Sequence, residues 1–393
     1  MKPIYIVSAL RTAIGSLGGS LAHLAPSALG ALCAKSVIEH ARISAECVDE
    51  VLVGNVLGAG HGMNIARQVG RGAGLPDAVP AMTLNRVCGS GLQAIITACH
   101  GITAGAYRVV LAGGVESMSQ SVHVSKSHRF GSKLGHTELL DLMLQDGLTD
   151  AFLGCHMGIT AENLASRYGI SREAQDRFAV ESQQRAQHAI KAGWFKDEIV
   201  PVPIEKKGKI VGSFEQDEHP RADTSYEALS ALRPAFKKDG SVTAGNASGI
   251  NDGAAFTLLA SEEAVQEYRL QPFARVEASA VAGVDPATMG IGPVPAVQKL
   301  LHRAGHALKE YDLIEANEAF AVQALAVSKE LGLDASRVNV GGGAIALGHP
   351  IGASGARLVV TLLHHLRRTK GARGIATLCV GGGQGVALSV ERL

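Results

Sequence analysis

Short apolar runs alternate with longer amphipathic segments along most of the chain. The runs 4–7, 51–53 and 109–112 are rich in valine, isoleucine and leucine and predict strands, whereas segments 27–40 and 92–104 predict helices. Alternating strands and helices are typical of βαβ units built around a largely parallel, buried sheet. The pattern therefore predicts an α/β fold.

The same order of elements returns late in the chain, which indicates an internal duplication. Residues 313–317 parallel residues 51–55 at an offset of 262, and residues 350–364 parallel residues 86–100 at an offset of 264. The second pair shares a small-Ser-Gly stretch, predicted to be a turn, followed by an apolar helix. A third pair of strands matches in the same order, and three matches in order favour duplication over chance.

The middle of the chain does not follow this repeat. It contains a predicted helix at 172–191 and several prolines, and it is expected to be an insertion that returns to the first repeat at 251–260. Three domains are predicted: an N-terminal repeat of residues 1–118 plus 247–270, a loop domain of residues 119–246, and a C-terminal repeat of residues 271–393.

Composition removes several classes of function. The net charge is +1 and aromatic residues make up 4%, so a nucleic-acid partner is not expected. No run approaches 18 apolar residues, so no membrane span is expected either. The six cysteines contain no Cys-x-x-Cys pair, which speaks against a zinc site and favours reduced thiols and a cytoplasmic location.

Cys88 is the first candidate for chemistry because it comes just before a predicted helix. Free N–H groups at a helix N-terminus favour the thiolate form, which is a good nucleophile. A buried structural cysteine is an equally plausible reading of this segment. The pattern Gly89-x-Gly91-x-x-Ala94, with Glu116 downstream, is also similar to a dinucleotide fingerprint, although the preceding strand is a poor first strand for that motif.

The second repeat supplies the complementary groups. His349 lies in a glycine-rich segment and is a candidate base for Cys88. Cys379 follows a predicted strand and precedes three glycines whose N–H groups suit an oxyanion hole, and its thiol could carry a proton. A small buried hydrophobe is the alternative reading of Cys379. Asn317 could hold a water or cap a helix.

Four motifs together resemble the thiolase family. They are NRVCGSG at 85–91, NEAF at 317–320, GHPIG at 348–352 and CVGGG at 379–383, and the likeness runs from residue 4 to the last residue. The resemblance implies an α-β-α-β-α sandwich with two mixed five-stranded sheets, one from each repeat. It also implies that the inserted loop domain binds coenzyme A.

The resemblance also implies a mechanism in which coenzyme A thioesters are substrates and no cofactor or metal is needed. Cys88 would attack an acyl-CoA, and His349 would take the thiol proton. Cys379 would then remove the α-proton of acetyl-CoA. One oxyanion hole would use His349 with a water held by Asn317, and the other the backbone N–H groups of Cys88 and Gly381.

Details within the family favour its biosynthetic branch, which forms acetoacetyl-CoA from two molecules of acetyl-CoA. The His-Met pair in residues 155–163 and the GGGQG stretch at 381–385 are similar to that branch. The alternatives are a degradative thiolase acting on longer 3-ketoacyl-CoA chains and a non-catalytic thiolase-like lipid-binding protein. By resemblance, substrate and coenzyme A would be bound by His156, Met157, Arg221, Ser248, Met289 and Phe320.

Two further expectations rest on the same resemblance. The protein is expected to be a homotetramer, a dimer of dimers that contact each other through residues 119–136. Gly341 departs from the family pattern because asparagine is common at that position.

Overall fold

A computed structural model describes residues 3–206 and 208–393, and the elements below belong to that part of the chain. The strands are β1 (Ile4–Thr12), β2 (Gly15–Ser16), β3 (Glu50–Gly54), β4 (Ala81–Leu84), β5 (Val109–Ser117), β6 (His123–Val124), β7 (Leu140–Asp141), β8 (Ile199–Val200), β9 (Val202–Lys206), β10 (Lys209–Phe214), β11 (Asn251–Ser261), β12 (Ala274–Gly283), β13 (Leu313–Ala316), β14 (Arg373–Val380) and β15 (Gln384–Arg392).

The helices follow the predicted amphipathic segments closely. They are α1 (Pro26–Ala41), α2 (Ile65–Gly72), α3 (Ser90–Thr103), α4 (Met157–Tyr168), α5 (Arg172–Lys191), α6 (Tyr226–Ser230), α7 (Glu262–Glu267), α8 (Pro293–Ala304), α9 (Ala321–Leu331), α10 (Ala344–Leu347) and α11 (Ile351–Thr369). Helix α5 has the predicted bounds, because the Ser171 side chain caps it by accepting a hydrogen bond from the Ala174 N–H at 3.2 Å.

The two repeats each build half of a mixed sheet. The first half runs in the order β4-β3-β5-β11-β1, and the second in the order β12-β15-β14-β13. In each half the parallel pairs lie toward the outer end of the sheet, β3 with β5 and β13 with β14, whereas the next strands inward, β11 and β15, pair antiparallel. The repeat read from the sequence is thus visible as a repeated strand order.

The two halves differ in detail from a pair of separate five-stranded sheets. Tyr5 and Ile6 pair with Arg275 and Ala274, so β1 and β12 join the halves into one continuous sheet. In the second half, as far as the described residues go, the position next to β13 holds only an isolated parallel bridge between Ile314 and Val338. Val338 ends a short 3₁₀ turn, so only one residue is extended enough to pair there.

The helices form three layers around the two sheet halves. Helices α3 and α11 pack against each other and touch both halves, so they form the middle layer. Helices α1 and α2 cover the outer face of the first half, and α8 covers that of the second. The predicted α-β-α-β-α order is therefore confirmed.

Helix α11 is almost entirely enclosed and lies very close to α3. A Cβ atom added to Gly355 would lie 2.5 Å from the backbone nitrogen of Leu92, and one added to Gly91 would lie 2.9 Å from that of Ala356. Side chains at these two positions would force the helices apart, so glycine is required there. The predicted turn at Ser354 and Gly355 is wrong, since α11 already begins at Ile351 after Pro350.

The segment between the repeats carries α4, α5, α6 and two small hairpins. Strand β6 pairs with β7, and β9 pairs with β10. The predicted boundaries of the three domains stay a prediction. In the described residues, no helix is both long enough and apolar enough to cross a bilayer.

Candidate active site

Cys88 lies on a tight turn between β4 and α3. Val87 adopts a left-handed backbone with φ of 45°, which is unusual for a β-branched residue and stores strain. Side chains on either side hold this turn: the Asn85 Oδ1 accepts the Val87 N–H at 2.8 Å, and the Ser90 Oγ accepts the Arg86 N–H at 2.8 Å. The strained turn fixes where the Cys88 thiol points.

The Cys88 thiol is protonated in the resting protein. Burial raises its pKa to about 11, although hydrogen bonds from the Gly381 N–H and from its own N–H lower it. The expectation that the helix N-terminus would favour the thiolate is therefore wrong, because desolvation outweighs the helix. Cys88 needs a base, and the Gly381 N–H directed at its sulfur shows that the two repeats meet at this point.

His349, the candidate for that base, is held in place by residues on both of its sides. Its ring Nδ1 lies 2.6 Å from the Ser354 Oγ, and that hydroxyl donates to the Pro350 carbonyl at 2.8 Å. The Ser354 oxygen therefore accepts the Nδ1 proton, which leaves Nε2 free to take one. Asn251 accepts the His349 N–H at 2.9 Å and fixes the backbone. Burial, with the nearby Arg357 charge, lowers the His349 pKa to about 4.

Cys379 and Gly381 come from the end of β14 and the turn after it. Cys379 is 1% exposed, and burial together with the neighbouring Cys88 raises its thiol pKa. A Cβ on Gly381 would lie 3.4 Å from both Met157 and Val87, so little room surrounds the Gly381 N–H. The two cysteines and this N–H therefore share one narrow site.

Asn317 is buried with no hydrogen-bond partner for its side chain. Both its Oδ1 and its Nδ2 are unpaired at 1% residue exposure, among the residues that the structure describes. It does not cap a helix, because α9 begins at Ala321 with Phe320 as the capping residue. Its counterpart in the first repeat, Asn55, donates to Val115 and Glu116. An unpaired amide of this kind is suited to holding a water.

Apolar side chains close the other side of this site. Met157, Met289, Phe320 and Cys379 belong to one buried cluster. Phe236 contacts Phe320 edge-on, with ring centroids 6.1 Å apart. The His156 ring stacks on Phe236 at 4.6 Å, and its Nδ1 accepts the Gly158 N–H at 3.0 Å. These residues pack as one apolar cluster against Cys379.

The two remaining predicted binding residues lie in different places. The Ser248 N–H donates to the Ala319 carbonyl at 3.0 Å, which holds Ser248 next to the 317–320 motif. Arg221 lies apart from the catalytic residues, beside a cavity of about 320 Å³ that His188 and Lys191 also line. The structure thus brings Cys88, Cys379 and the Gly381 N–H together and leaves Arg221 at a separate basic cavity, suited to phosphate groups.

Several residues that support the site were missed at the level of sequence. Glu116 is fully buried and accepts hydrogen bonds from Asn55 and from the N–H groups of Val56, Leu57 and Gly352. Burial raises the pKa of the Glu116 carboxyl to about 7, although the hydrogen bonds from these N–H groups lower it. It ties the start of α11 to β5, so it is not the ribose-binding acid of a dinucleotide fingerprint.

Glu318 is a second buried carboxylate that ties separate segments together, in this case in the second repeat. Its carboxylate accepts from Ser182 at 2.7 Å and from Asn339 at 2.8 Å. The glutamate of the 317–320 motif thereby anchors the loop that leads to His349. The only sequence signal for these supporting residues was their place in the duplicated motifs.

The structure explains why position 341 holds glycine, where asparagine is common in the family. A Cβ at this position would lie 2.5 Å from the His365 Cε1 and 3.3 Å from the Phe195 ring. His365 is 1% exposed and cannot move away easily. A larger residue at 341 is therefore excluded while His365 occupies this space, and no catalytic group is displaced.

The pKa values of Cys88 and His349 predict the pH dependence of acylation. His349 is neutral above about pH 4, and Cys88 is a thiol below about pH 11, so the pair is neutral over the whole range between. We expect the rate of acyl-enzyme formation to be flat from about pH 5 to pH 10, measured by rapid quench and intact mass. An inflection near the ordinary histidine value of 6.5 would contradict it.

The comparisons with known proteins agree with this geometry. A family described as "Thiolase, N-terminal domain" matches residues 4–263, and "Thiolase, C-terminal domain" matches residues 270–392. The chain belongs to the thiolase family.

Named relatives narrow this further. The chain is 56% identical, over the full length of both chains, to an acetyl-CoA acetyltransferase of Pseudomonas aeruginosa. The crystal structure of the Bacillus anthracis acetyl-CoA acetyltransferase superposes with a TM-score of 0.98 at 48% identity, covering 100% of this chain and 99% of that one. Human mitochondrial 3-ketoacyl-CoA thiolase superposes with a TM-score of 0.96 at 45% identity, with the same coverage.

Proposed function

We propose that this protein is an acyltransferase that joins two molecules of acetyl-CoA into acetoacetyl-CoA and free coenzyme A, and that also runs the reverse reaction. The observation that carries this is the convergence of two thiols, Cys88 and Cys379, with the Gly381 N–H between the repeats. A single nucleophile would suffice for thioester hydrolysis. Two thiols beside one oxyanion donor suit an acyl transfer followed by carbon–carbon bond formation.

The first half-reaction transfers an acetyl group to Cys88. His349 Nε2 takes the thiol proton as sulfur attacks the thioester carbonyl. The oxygen that becomes negative accepts hydrogen bonds from the N–H groups of Cys88 and Gly381. As the intermediate collapses, the carbon–sulfur bond to coenzyme A breaks, and the His349 proton goes to the leaving thiolate. The products are acetyl-Cys88 and free coenzyme A.

The second half-reaction forms the new carbon–carbon bond. The Cys379 thiol first transfers its proton to His349, and the resulting thiolate removes a proton from the methyl group of a second acetyl-CoA. A high thiol pKa makes its thiolate a strong base, which this weakly acidic carbon needs. His349 and a water on Asn317 would stabilise the enolate oxygen. The enolate carbon attacks acetyl-Cys88, and the Cys88 sulfur leaves and takes the proton held by His349. Cys379 keeps the proton removed from the methyl group, so all three groups return to their starting protonation states.

The packing around Cys379 suits a short acyl chain better than a long one. Met157, Met289 and Phe320 are each less than 9% exposed and close the space next to Cys379. Relatives named 3-ketoacyl-CoA thiolase keep the degradative alternative relevant. The close packing favours the acetyl reaction.

A comparison of chain lengths tests this assignment. We expect thiolysis of acetoacetyl-CoA to exceed thiolysis of 3-ketohexadecanoyl-CoA by about 100-fold or more in kcat/KM, because the long chain has no space beside Met289. Steady-state assays with both substrates measure it. Comparable values for the two substrates would favour the degradative reading, and the absence of activity on either would favour a non-catalytic protein.

Assembly and location belong to the same proposal. The segment around the β6–β7 hairpin leaves Phe130 and Leu134 exposed at 95% and 98%. Large apolar side chains in water favour a contact with another chain, which supports a tetramer formed through residues 119–136. All six cysteines are free, which supports a reducing, cytoplasmic location. Light scattering of the purified protein gives the number of subunits.

A further inference from the structure

One large cavity lies away from the acyl-transfer site, where the two repeats meet. It has a volume of about 810 Å³ and is enclosed by the end of α1, the end of α11, the segment before β12 and the last residues of the chain. None of the catalytic or binding candidates described above lines it. It is therefore a separate cavity that acyl transfer does not explain.

Four arginines line this cavity: Arg42, Arg269, Arg367 and Arg392. The lining holds one acidic side chain, Glu39, so the four arginines leave the lining side chains with a net formal charge of +3. The whole 393-residue chain carries only +1. Positive charge is therefore concentrated at this cavity well beyond the average of the protein.

The arginines are not neutralised by the protein. Glu39 pairs with Lys35 at 3.9 Å. Arg392 donates to backbone carbonyls, including that of Gly371 at 2.7 Å. Within residues 3–206 and 208–393, none of the four guanidinium groups forms an ion pair with a carboxylate. The charges of Arg367 and Arg42 also help to lower the pKa of His40 on the cavity wall, after the larger effect of its burial.

The cavity also offers an apolar surface. The Arg367 guanidinium lies over the Phe273 ring at 5.5 Å from its centroid, and Tyr268 lines the same space. Guanidinium groups bind phosphate oxygens with charge-assisted, bidentate hydrogen bonds, and aromatic rings stack on nucleobases. Charge and rings together suit a ligand with several phosphate charges.

This cavity and the catalytic residues lie at opposite ends of one helix. Helix α11 begins two residues after His349 and ends two residues after Arg367, which lines the cavity. Its 19 residues span about 28 Å at 1.5 Å per residue. A ligand here cannot reach Cys88, so its binding can be measured apart from that of coenzyme A.

We propose that this cavity binds a di- or triphosphate group, either free or carried by a nucleotide. Arg42 and Arg269 are the principal ligands because, in the part of the chain that the structure describes, neither forms an ion pair or a hydrogen bond with another side chain. Both lie in left-handed positions, with φ of 54° and 52°, just after the ends of α1 and α7. The proposal does not depend on the acyl-transfer reaction.

Calorimetric titration of the full-length protein tests this. Tripolyphosphate, ATP and adenosine are titrated separately into the natural sequence and into an Arg221→Gln variant, which weakens any binding at the cavity beside Arg221. We expect tripolyphosphate and ATP to bind and adenosine to fail. The double variant Arg42→Gln/Arg269→Gln should bind at least about tenfold more weakly, since two charge-assisted contacts are lost. Tighter binding of ATP than of tripolyphosphate would identify a nucleotide, and equal binding a free polyphosphate.

Two further variants keep this test decisive if the double variant is unstable. Glu39→Gln removes a negative charge from the lining and should tighten binding. Arg303→Gln removes one positive charge from α8, outside the cavity, and should leave binding unchanged. The proposal is overturned if neither phosphate probe binds at millimolar concentration. It is equally overturned if Glu39→Gln and Arg303→Gln change binding to the same extent.

Discussion

Replacing Cys88 by alanine should abolish turnover in both directions, with a loss of about 10⁴-fold or more in kcat. The reason is that, of the two thiols at the described site, Cys88 is the one that receives a hydrogen bond from the other repeat, from the Gly381 N–H, whereas Cys379 is enclosed at 1% exposure. Intact mass spectrometry after mixing with acetyl-CoA should show no acetylated protein.

The matched control is Cys99→Ala on the same helix. Cys99 is a buried cysteine of α3 on the far side from the turn, so its removal should cost packing but leave turnover within about twofold. Both variants lose one thiol from α3, and only one should lose the acyl-enzyme. An acetyl adduct that persists in the Cys88 variant would show that another residue is the nucleophile.

Replacing Cys379 by alanine should separate the two half-reactions. Cys88, His349 and the Gly381 N–H remain, so the variant should still be acetylated, but condensation should fall by about 10³-fold or more because no base removes the α-proton. Mass spectrometry should show the acetyl-enzyme accumulating, while an assay for acetoacetyl-CoA shows almost none. If the Cys379 variant formed no adduct, the division of roles between the thiols would be wrong.

A conservative variant distinguishes chemistry from packing at this position. Cys379→Ser keeps nearly the same volume in the cluster with Met157 and Phe320, but a hydroxyl is a far weaker acid than a thiol. It should fail at condensation as fully as the alanine variant while matching the natural protein in thermal stability. Recovery of condensation in the serine variant would mean that condensation needs a side chain of this volume at position 379 and does not need the thiol.

The sequence predicted most of the framework because its signals are local or repeated. The bounds of α5 and β13 follow directly from capping and from a short apolar run. The duplicated order of elements located Cys88, Asn317, His349 and Cys379 on matching parts of the two repeats. The α-β-α-β-α order and the thiolase family, both expected from these motifs, are confirmed.

What the sequence could not provide depends on contacts between distant segments. The pKa of Cys88 follows from burial, which outweighs the helix N-terminus on which the prediction relied. Ser354 looked like part of a turn, yet inside α11 it orients the His349 ring. The roles of the individual site residues stay a prediction until the variants above are measured.

Asn55 and Asn317 also show that contacts between distant segments cannot be predicted from the sequence. They occupy equivalent places in the repeats, and sequence gives no means of telling them apart. Asn55 is tied to Glu116 at 2.8 Å, whereas both polar atoms of Asn317 are unpaired. Only the presence or absence of a distant carboxylate decides which amide is free to hold a water.

The contact between α3 and α11 has a consequence for the history of the molecule. A chain of one repeat would expose the apolar face that these helices bury against each other, where Gly91 and Gly355 permit backbone contact. Such a chain could cover that face only with a second copy of itself. Fusion of two half-length chains that already paired would produce this arrangement. Each copy could then specialise, one for holding the acyl group and the other for acid–base chemistry.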